Sequence, residues 1–216
     1  MKTNLKAPIA GEIKDLVNRH GKRTFSQVFT LPNGELADYT LYGTNKDKIP
    51  SIVLPVTKDL QVLAVNQFRF GANEFVLELP GGMPKGDQTA EETMLSELEE
   101  ETGYRPEKVV LLSPKVWFDP ASVRVPYAAL LAIGCVWVKP QKLDRSEILD
   151  LVKIPLEEWM RMTRAGEICD SKTLATTMLA LPHLLQLLVD EWNKCSVGKF
   201  NNARTLNGLQ NLFGFE

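Results

Sequence analysis

The sequence has 216 residues, of which 44% are hydrophobic and 24% are charged, and its formal net charge is −2 at pH 7. A chain of this length can bury a core of its own, as one domain with an extension. The near balance of charge, without a basic block, argues against nucleic-acid binding through a positive patch.

The cysteines Cys135, Cys169 and Cys195 are widely spaced and form neither a CxxC motif nor a pair with histidine. Such cysteines are typical of reduced structural thiols, so we expect the protein in the cytoplasm. The longest apolar runs, such as residues 127–138, are short and interrupted, and the N-terminus lacks the apolar stretch of a signal peptide. These features predict no membrane association.

The N-terminal region, residues 1–45, is predicted to form a β extension. Two strand-like runs, residues 24–31 and 35–42, flank a Pro-Asn-Gly sequence, which is a strong hairpin signal. Before them, residues 12–19 are compatible with a short helix. The hairpin either extends the sheet of its own domain or packs across to a second chain, and we expect the protein to be a homodimer.

Apolar runs farther along the chain predict the strands of a larger sheet. They cover residues 52–56, 61–67, 74–79, 109–112, 125–138 and 146–152. An acidic helix lies in the middle of this series, and a second helix opens after Asp170, a candidate N-cap, and runs through Leu181. Strands on both sides of a central helix favour an α/β sandwich with a mixed sheet between helices.

The central helix is marked at both ends. Thr89 and Glu92 have the spacing of a capping box, in which each side chain accepts a hydrogen bond from the other residue's backbone N–H. Gly103 supplies a left-handed stop, and Pro106 prevents continuation. A glycine-rich loop that begins at Gly81 leads into this helix, so loop and helix form the central motif of the sequence.

Carboxylates gather on one face of this helix. Glu97, Glu100 and Glu101 lie beside the apolar face that contains Leu98. Glu97 and Glu101 are four residues apart and repel each other unless a cation neutralises them. Oxygen ligands without histidine or cysteine favour Mg²⁺ or Mn²⁺ over Zn²⁺. The other interpretation is a solvated acidic face, but the preceding glycine loop favours a metal site.

This loop and helix resemble the Nudix box, the motif G-x5-E-x7-R-E-U-x-E-E-x-G-U of the Nudix hydrolases. With Gly82 as the first glycine, the register continues without a gap to Gly103 and Tyr104. Two fixed positions differ, because Gln88 replaces the first glutamate and Ser96 replaces the arginine. The resemblance implies the Nudix fold, with Mg²⁺ or Mn²⁺ and catalysis at the remaining acidic positions. These are Glu97, Glu100 and Glu101, with the backbone carbonyl of Gly81 as a further metal ligand.

A segment before the box is similar to one branch of this family. The run QFRF…EFVLELPGG resembles the QYR…E…ELPAG segment of ADP-ribose pyrophosphatases and related nucleoside diphosphate sugar hydrolases. The resemblance implies substrate-binding roles for Arg69, Glu74 and Glu78. Arginine suits such a role because its planar donors pair with phosphate oxygens in two directions.

In this branch, a loop after the box usually carries a glutamate that helps to activate water. Residues 115–122 contain no glutamate, and Asp119 is their only acid. Asp119 is either the base or, as is common before proline, a cap for the loop. The aromatic residues Trp117, Phe118 and Tyr127 either stack on a nucleobase or belong to the core.

The resemblance therefore implies an enzyme that hydrolyses the diphosphate of ADP-ribose or a related nucleoside diphosphate sugar. Bound Mg²⁺ would screen the charge of the diphosphate and lower the pKa of a bound water. Residues 46–192 would form the hydrolase domain, and residues 193–216 a segment that docks on the body or on a partner chain. Because Gln88 and Ser96 replace charged residues, a nucleotide sensor without turnover is one alternative; a structural or dimer-forming protein is another.

Overall fold

A computed structural model describes residues 5–19, 21–44, 48–117, 119–144 and 147–196, with side chains as far as residue 191. Phe118 and residues 197–216 of the predicted docking segment lie outside the described residues. The chain divides into two compact units. Unit 1 comprises the described residues before Pro50 together with residues 117–126, and unit 2 comprises Pro50–Val116 and the residues from Tyr127 onward.

Unit 1 is built on a three-stranded antiparallel sheet. The strands β1 (Ile9–Arg19), β2 (Lys22–Thr30) and β3 (Leu36–Thr44) follow one another in the order β1-β2-β3. The predicted hairpin is present as β2 and β3. The short helix predicted for residues 12–19 is wrong, since these residues pair with β2 from Asp15–Phe25 to Arg19–Lys22. Pairing with β2 overrides the local pattern of the segment.

The second segment of unit 1 is attached to β3 and to the buried ring of Phe25. Tyr42 N donates to Ser122 O at 2.8 Å, and Arg124 N donates to Tyr42 O at 2.8 Å. The guanidinium groups of Arg23 and Arg124 lie 4.6 and 5.0 Å from the centroid of the Phe25 ring. Cation–π contacts therefore help to hold the small core of this unit.

Unit 2 contains a mixed sheet in its described residues. Its strands are β4 (Ser51–Thr57), β5 (Gln61–Arg69), β6 (Glu74–Glu78), β7 (Gly81–Gly82), β8 (Tyr104–Arg105), β9 (Lys108–Val116), β10 (Tyr127–Trp137) and β11 (Leu149–Pro155). The main order is β11-β5-β4-β10-β8, while β6 pairs with β5, β7 with β4 and β9 with β10. The β4 and β10 strands are parallel, and the remaining pairs are antiparallel.

Helices cover both faces of this sheet. They are α1 (Ala90–Thr102), α2 (Leu156–Ala165) and α3 (Ser171–Ser196). Successive residues of a strand point to opposite faces, and β4 follows this rule. Leu54 belongs to the same buried cluster as Trp159 of α2 and Leu184 of α3, whereas Val53 packs in the cluster that contains Leu98 of α1. Unit 2 is thus the predicted α/β/α sandwich.

The last helix, α3, begins at the predicted cap and is longer than predicted. Asp170 Oδ2 accepts hydrogen bonds from Thr173 N at 2.9 Å and from Thr173 Oγ1 at 2.8 Å. The helix continues past Leu181 to Ser196. Its part Ser171–Glu191, with a mean hydropathy of 1.2, is long and apolar enough to cross a membrane, and one third of it is buried in the fold. A core helix meets the same criteria of length and composition.

Candidate active site

The glycine loop is held close to the centre of the unit 2 sheet. Gly81 and Gly82 pair with Ile52 and Ser51 of β4. A Cβ atom on Gly81 would lie 2.2 Å from Ser51 O, and one on Gly82 would lie 2.6 Å from the carboxylate carbon of Glu97. Gly81 therefore requires glycine, because the Cβ would meet backbone, whereas a side chain at Gly82 would displace the carboxylate of Glu97. The loop backbone therefore lies directly against the acidic helix.

The α1 helix is fixed at both ends as its sequence predicts. Thr89 and Glu92 form the capping box, with Thr89 N donating to Glu92 Oε2 at 2.8 Å and Glu92 N donating to Thr89 Oγ1 at 3.2 Å. Gly103 ends the helix with φ at 77°, and its N–H donates to Glu99 O at 3.0 Å. These caps set the rotation of the helix and thereby the direction of its carboxylates.

Three carboxylates meet beside the glycine loop. Glu97, Glu101 and Glu147 each offer an oxygen, and these oxygens lie within 4.8 Å of one another. Glu97 is 7% exposed and Glu101 is 3% exposed, and Glu101 Oε2 accepts a hydrogen bond from Gly81 N at 3.0 Å. We call this set the carboxylate cluster. All of its donors are hard oxygen atoms, which fits a divalent cation such as Mg²⁺ or Mn²⁺.

Burial raises the pKa values of two carboxylates of the cluster, Glu97 and Glu101, and so disfavours their charged forms. Burial raises the pKa of Glu97 to about 7, an effect that Lys85 partly opposes. Burial likewise raises the pKa of Glu101 to about 8; the Gly81 N–H lowers it, while the charges of Glu97 and Glu147 add to the increase. A bound cation would stabilise the charged forms and remove this penalty.

The segment that follows β10 carries Glu147 into the cluster. Its backbone caps the open carbonyls at the end of α1, with Lys142 N donating to Glu100 O and Val138 N to Gly103 O, both at 2.8 Å. The Gln141 side chain also donates to Glu101 O. Glu147 Oε2 then accepts from Asp144 N at 2.7 Å. The sequence analysis missed Glu147, because no local motif marks it and only the fold brings it to α1.

Glu100, which the sequence groups with Glu97 and Glu101, takes a different partner. Its Oε2 atom lies 2.5 Å from the ammonium group of Lys85, which belongs to the glycine loop. The same ammonium group lies 3.9 Å from Glu97 Oε1. Glu100 is thus held by an ion pair at the side of the carboxylate cluster.

The two positions that depart from the Nudix box contact each other. Gln88 Nε2 donates to Ser96 Oγ at 3.0 Å, and Ser96 Oγ donates to Glu92 O at 3.0 Å. The other end of the Gln88 amide accepts from Lys85 N at 2.8 Å. A neutral hydrogen-bonded pair therefore ties the loop to α1 where the box has a glutamate and an arginine.

Arg69 and Glu78, two of the predicted substrate-binding residues, form a bidentate ion pair. Arg69 Nε and Nη2 donate to the two Glu78 oxygens at 2.6 and 2.7 Å. Glu78 is 2% exposed, and Lys172 Nζ lies 3.8 Å from its Oε2. The Glu78 hydrogen bond raises the pKa of Arg69, so its guanidinium stays charged. Glu74, the third predicted residue, is exposed and pairs with Arg69 across β5 and β6.

The residues predicted around the second loop have different surroundings. Asp119 Oδ1 accepts from Ala121 N at 3.2 Å, which is the loop-capping role. Trp117 lines an apolar cavity of about 330 Å³ within unit 1, together with Phe29 and Tyr39. Tyr127 is 1% exposed in the unit 2 core. Stacking of Tyr127 on a base is therefore wrong, and its core interpretation is confirmed.

Fold and site together define a class of protein, an α/β/α sandwich with a carboxylate cluster beside a glycine loop. The NUDIX domain matches residues 47–176, more than half of the sequence, and the chain belongs to the Nudix hydrolase family. The family predicted from the loop–helix motif is confirmed.

Several known proteins are similar to this chain. The ADP-ribose pyrophosphatase of Bacillus subtilis (strain 168) is 28% identical over 157 residues, covering 72% of this chain and 83% of the relative. The methanol dehydrogenase activator of Bacillus methanolicus is 28% identical over 165 residues, with the same 72% and 83% coverage. The crystal structure of an ADP compounds hydrolase matches with a TM-score of 0.69 at 19% identity, over 92% of this chain and all of its own. The chain is thus ADP-ribose pyrophosphatase-like, as its QFRF…ELPGG segment predicts.

Proposed function

We propose that the protein is a divalent-metal-dependent pyrophosphohydrolase that cleaves the diphosphate of ADP-ribose or of a related nucleoside diphosphate sugar. The observation that carries the proposal is the carboxylate cluster, in which oxygens of Glu97, Glu101 and Glu147 lie within 4.8 Å of one another. The similarity to the ADP-ribose pyrophosphatase of Bacillus subtilis supports the substrate class.

The burial of each acid in the site indicates whether it binds the metal or acts as the base. Glu97 and Glu101 are nearly enclosed and would hold Mg²⁺ or Mn²⁺, with the Gly81 carbonyl and Glu100 as the further ligands that the Nudix box implies. Such a cation supplies Lewis-acid chemistry at the diphosphate. Glu147 is only partly buried, and we assign it as the base that accepts the proton of the attacking water.

The reaction balances with water as the second substrate. The water oxygen forms a bond to one phosphorus atom, the bond from that phosphorus to the bridging oxygen breaks, and Glu147 accepts the water proton. For ADP-ribose the products are AMP and ribose 5-phosphate. Arg69 is fixed by Glu78 through Nε and Nη2, and its remaining guanidinium N–H groups are the proposed contacts to phosphate.

Product analysis tests this proposal. Purified protein with Mg²⁺ is incubated separately with ADP-ribose, nucleotide sugars and dinucleotides, and AMP release is measured. We expect release from ADP-ribose or a nucleotide sugar, and a loss of about 100-fold in Glu147→Gln, because a general base contributes about that much. Asp150→Asn, an exposed acid on β11, serves as the matched control. Full activity of Glu147→Gln would contradict its assigned role.

The neutral pair of Gln88 and Ser96 favours one alternative function, a nucleotide sensor with little or no turnover. A neutral hydrogen bond orients a carboxylate less strongly than a charge-assisted one. If ADP-ribose raises the melting temperature of the protein and no substrate in the panel is cleaved, the sensor replaces the enzyme.

The double variant Gln88→Glu/Ser96→Arg is expected to raise turnover about two- to fivefold, since it rebuilds a partly exposed ion pair between loop and helix. Ser96→Arg alone should not, because its guanidinium would meet the amide of Gln88, which lies 3.0 Å from Ser96 Oγ. Steady-state kcat of the two single variants and the double variant measures the coupling. Equal gains in Ser96→Arg and in the double variant would show that the pair does not act as a unit.

The wider organisation of the chain also remains a proposal. A homodimer is supported by β1, which is exposed along its whole length and carries Ile9, Leu16 and Val17. Size-exclusion chromatography with light scattering should give a mass twice that of one chain. The proposed regions of the chain are a β extension over residues 1–45, a hydrolase domain over residues 46–192 and a docking segment over residues 193–216. The proposed cytoplasmic location rests on the spacing of the cysteines, of which Cys135 is buried and Cys169 is exposed.

A further inference from the structure

The ammonium group of Lys85 lies at the mouth of the carboxylate cluster. It is 2.5 Å from Glu100 Oε2 and 3.9 Å from Glu97 Oε1, so one positive charge contacts two of the acids that the Nudix box contributes. Lys85 comes from the glycine loop and Glu100 from α1, fifteen positions apart. The contact is therefore made by the fold and not by helical spacing.

The backbone of Lys85 is fixed while its side chain can move. Lys85 N donates to the Gln88 side chain at 2.8 Å, which anchors the loop at this point. The Lys85 side chain is 52% exposed, and an exposed ion pair of this kind is weak enough to open and close freely. The backbone of Lys85 therefore keeps the ammonium group near the cluster, while the side chain can still move away from the carboxylates.

Two other basic residues near α1 form ion pairs with a different glutamate of this helix. Glu99 binds Arg105 Nη2 and Lys139 Nζ, each at 2.6 Å. Hydrogen bonds from these two groups lower the pKa of Glu99, against the cost of its burial. Arg105 and Lys139 are therefore engaged on another acid, whereas Lys85 contacts Glu97 and Glu100.

We propose that Lys85 is a tethered counter-ion that competes with a divalent cation for Glu97 and Glu100, and so lowers the affinity of the site for free metal. This inference rests on the proposed metal site. Both cations are attracted to the same carboxylates, and a divalent cation bound to them would repel the ammonium group of Lys85. Lys85 must leave Glu100 for the metal to use that acid. When released, the ammonium group is on the loop beside the site, where a diphosphate would attract it.

Calorimetric titration of the nucleotide-free protein with Mn²⁺ tests the competition. Lys85→Met removes the charge and keeps the length of the side chain, so it should bind Mn²⁺ about two- to fivefold more tightly than the wild type, the factor expected for loss of one exposed ion pair. Lys85→Arg keeps the charge and should not gain affinity. Lys139→Met is the control, because it removes an equivalent charge from Glu99.

The outcomes separate this inference from the proposed function. Tighter binding in Lys85→Met alone supports the competition, as does binding by Lys85→Met where the wild type shows none. If the wild type binds Mn²⁺ and Lys85→Met binds equally or more weakly, the competition is refuted while the metal site stands. If no variant binds Mn²⁺, both fail. A gain of the same size in Lys139→Met would also refute it, since a general loss of positive charge would then account for the change.

Discussion

Replacing Glu101 with glutamine is expected to impair hydrolysis strongly and, at the same time, to make the metal-free protein more stable. Glu101 is 3% exposed, and its carboxylate shares the cluster with Glu97 and Glu147. Loss of one charged oxygen ligand should lower kcat/KM by about 100-fold or more. The amide keeps the shape of the side chain and can still accept the Gly81 N–H, while the cost of burying a charge disappears.

The gain in stability of Glu101→Gln should grow as the pH rises from the ordinary pKa of a glutamate, 4.5, towards the raised pKa of Glu101. Burial raises the pKa of Glu101 from 4.5 to about 8 and that of Glu97 to about 7. In this range the folded protein binds more protons than the unfolded chain, so the free energy of unfolding falls as the pH rises from about 4.5 to about 8. Each pKa unit corresponds to roughly 1.4 kcal/mol. Wild type and Glu101→Gln should therefore differ little below about pH 4.5 and most above about pH 8.

Thermal unfolding in the presence of a chelator measures this difference, at about pH 5 and about pH 8.5. We expect the melting temperature of the wild type to fall between these values and that of Glu101→Gln to fall by less, because only Glu97 of the two acids then still carries a raised pKa. Adding Mg²⁺ at the higher pH should restore the wild type and leave the variant unchanged. Glu91→Gln, at an exposed position in the first turn of the same helix, is the control. A lower melting temperature for Glu101→Gln at high pH would contradict the account.

The loop and helix could be predicted from the sequence because their determinants are local. The capping box of Thr89 and Glu92 and the left-handed stop at Gly103 each depend on residues within one turn. The close contacts of Gly81 with Ser51 O and of Gly82 with the Glu97 carboxylate, in contrast, are set by the fold. Where a short stretch satisfies its own hydrogen bonds, its structure is readable without the rest of the chain.

The features that sequence reasoning missed depend on distant partners. Residues 12–19 fit a helix in isolation, but pairing with β2 makes them a strand. Glu147 lies in the cluster because the segment after β10 donates hydrogen bonds to carbonyls at the end of α1. No sequence motif near Glu147 predicts this contact. The partner of Glu100 is equally non-local, since Lys85 reaches it across the loop.

Removing Arg69 is expected to destabilise the fold far more than removing an arginine whose ion pairs are solvated. Arg69→Ala would leave the carboxylate of Glu78, which is 2% exposed, with Lys172 Nζ at 3.8 Å as its remaining ion-pair partner among the described residues. An uncompensated buried carboxylate is costly, and we expect a loss of about 3 kcal/mol. This value is at the lower end for buried pairs, because the Arg69 side chain is 41% exposed and Lys172 offers partial compensation.

A double variant separates this structural role from the proposed binding of phosphate. Arg69→Met/Glu78→Leu removes both charges and should recover most of the lost stability, because apolar residues can replace a buried ion pair at little cost. If Arg69 also contacts the substrate, the KM of this stable double variant for ADP-ribose should be higher than that of the wild type. A normal KM would show that Arg69 only holds Glu78 in place.

Arg161 provides the matched control for Arg69, since it makes more ion-pair hydrogen bonds in a solvated setting. It contacts Glu158 and Glu167 with four hydrogen bonds of 2.6 to 2.8 Å, and all three side chains are more than 40% exposed. Arg161→Ala should change the urea midpoint of unfolding very little, because water replaces the lost partners. If Arg161→Ala and Arg69→Ala lower the midpoint equally, burial of Glu78 is not what makes the Arg69 pair important.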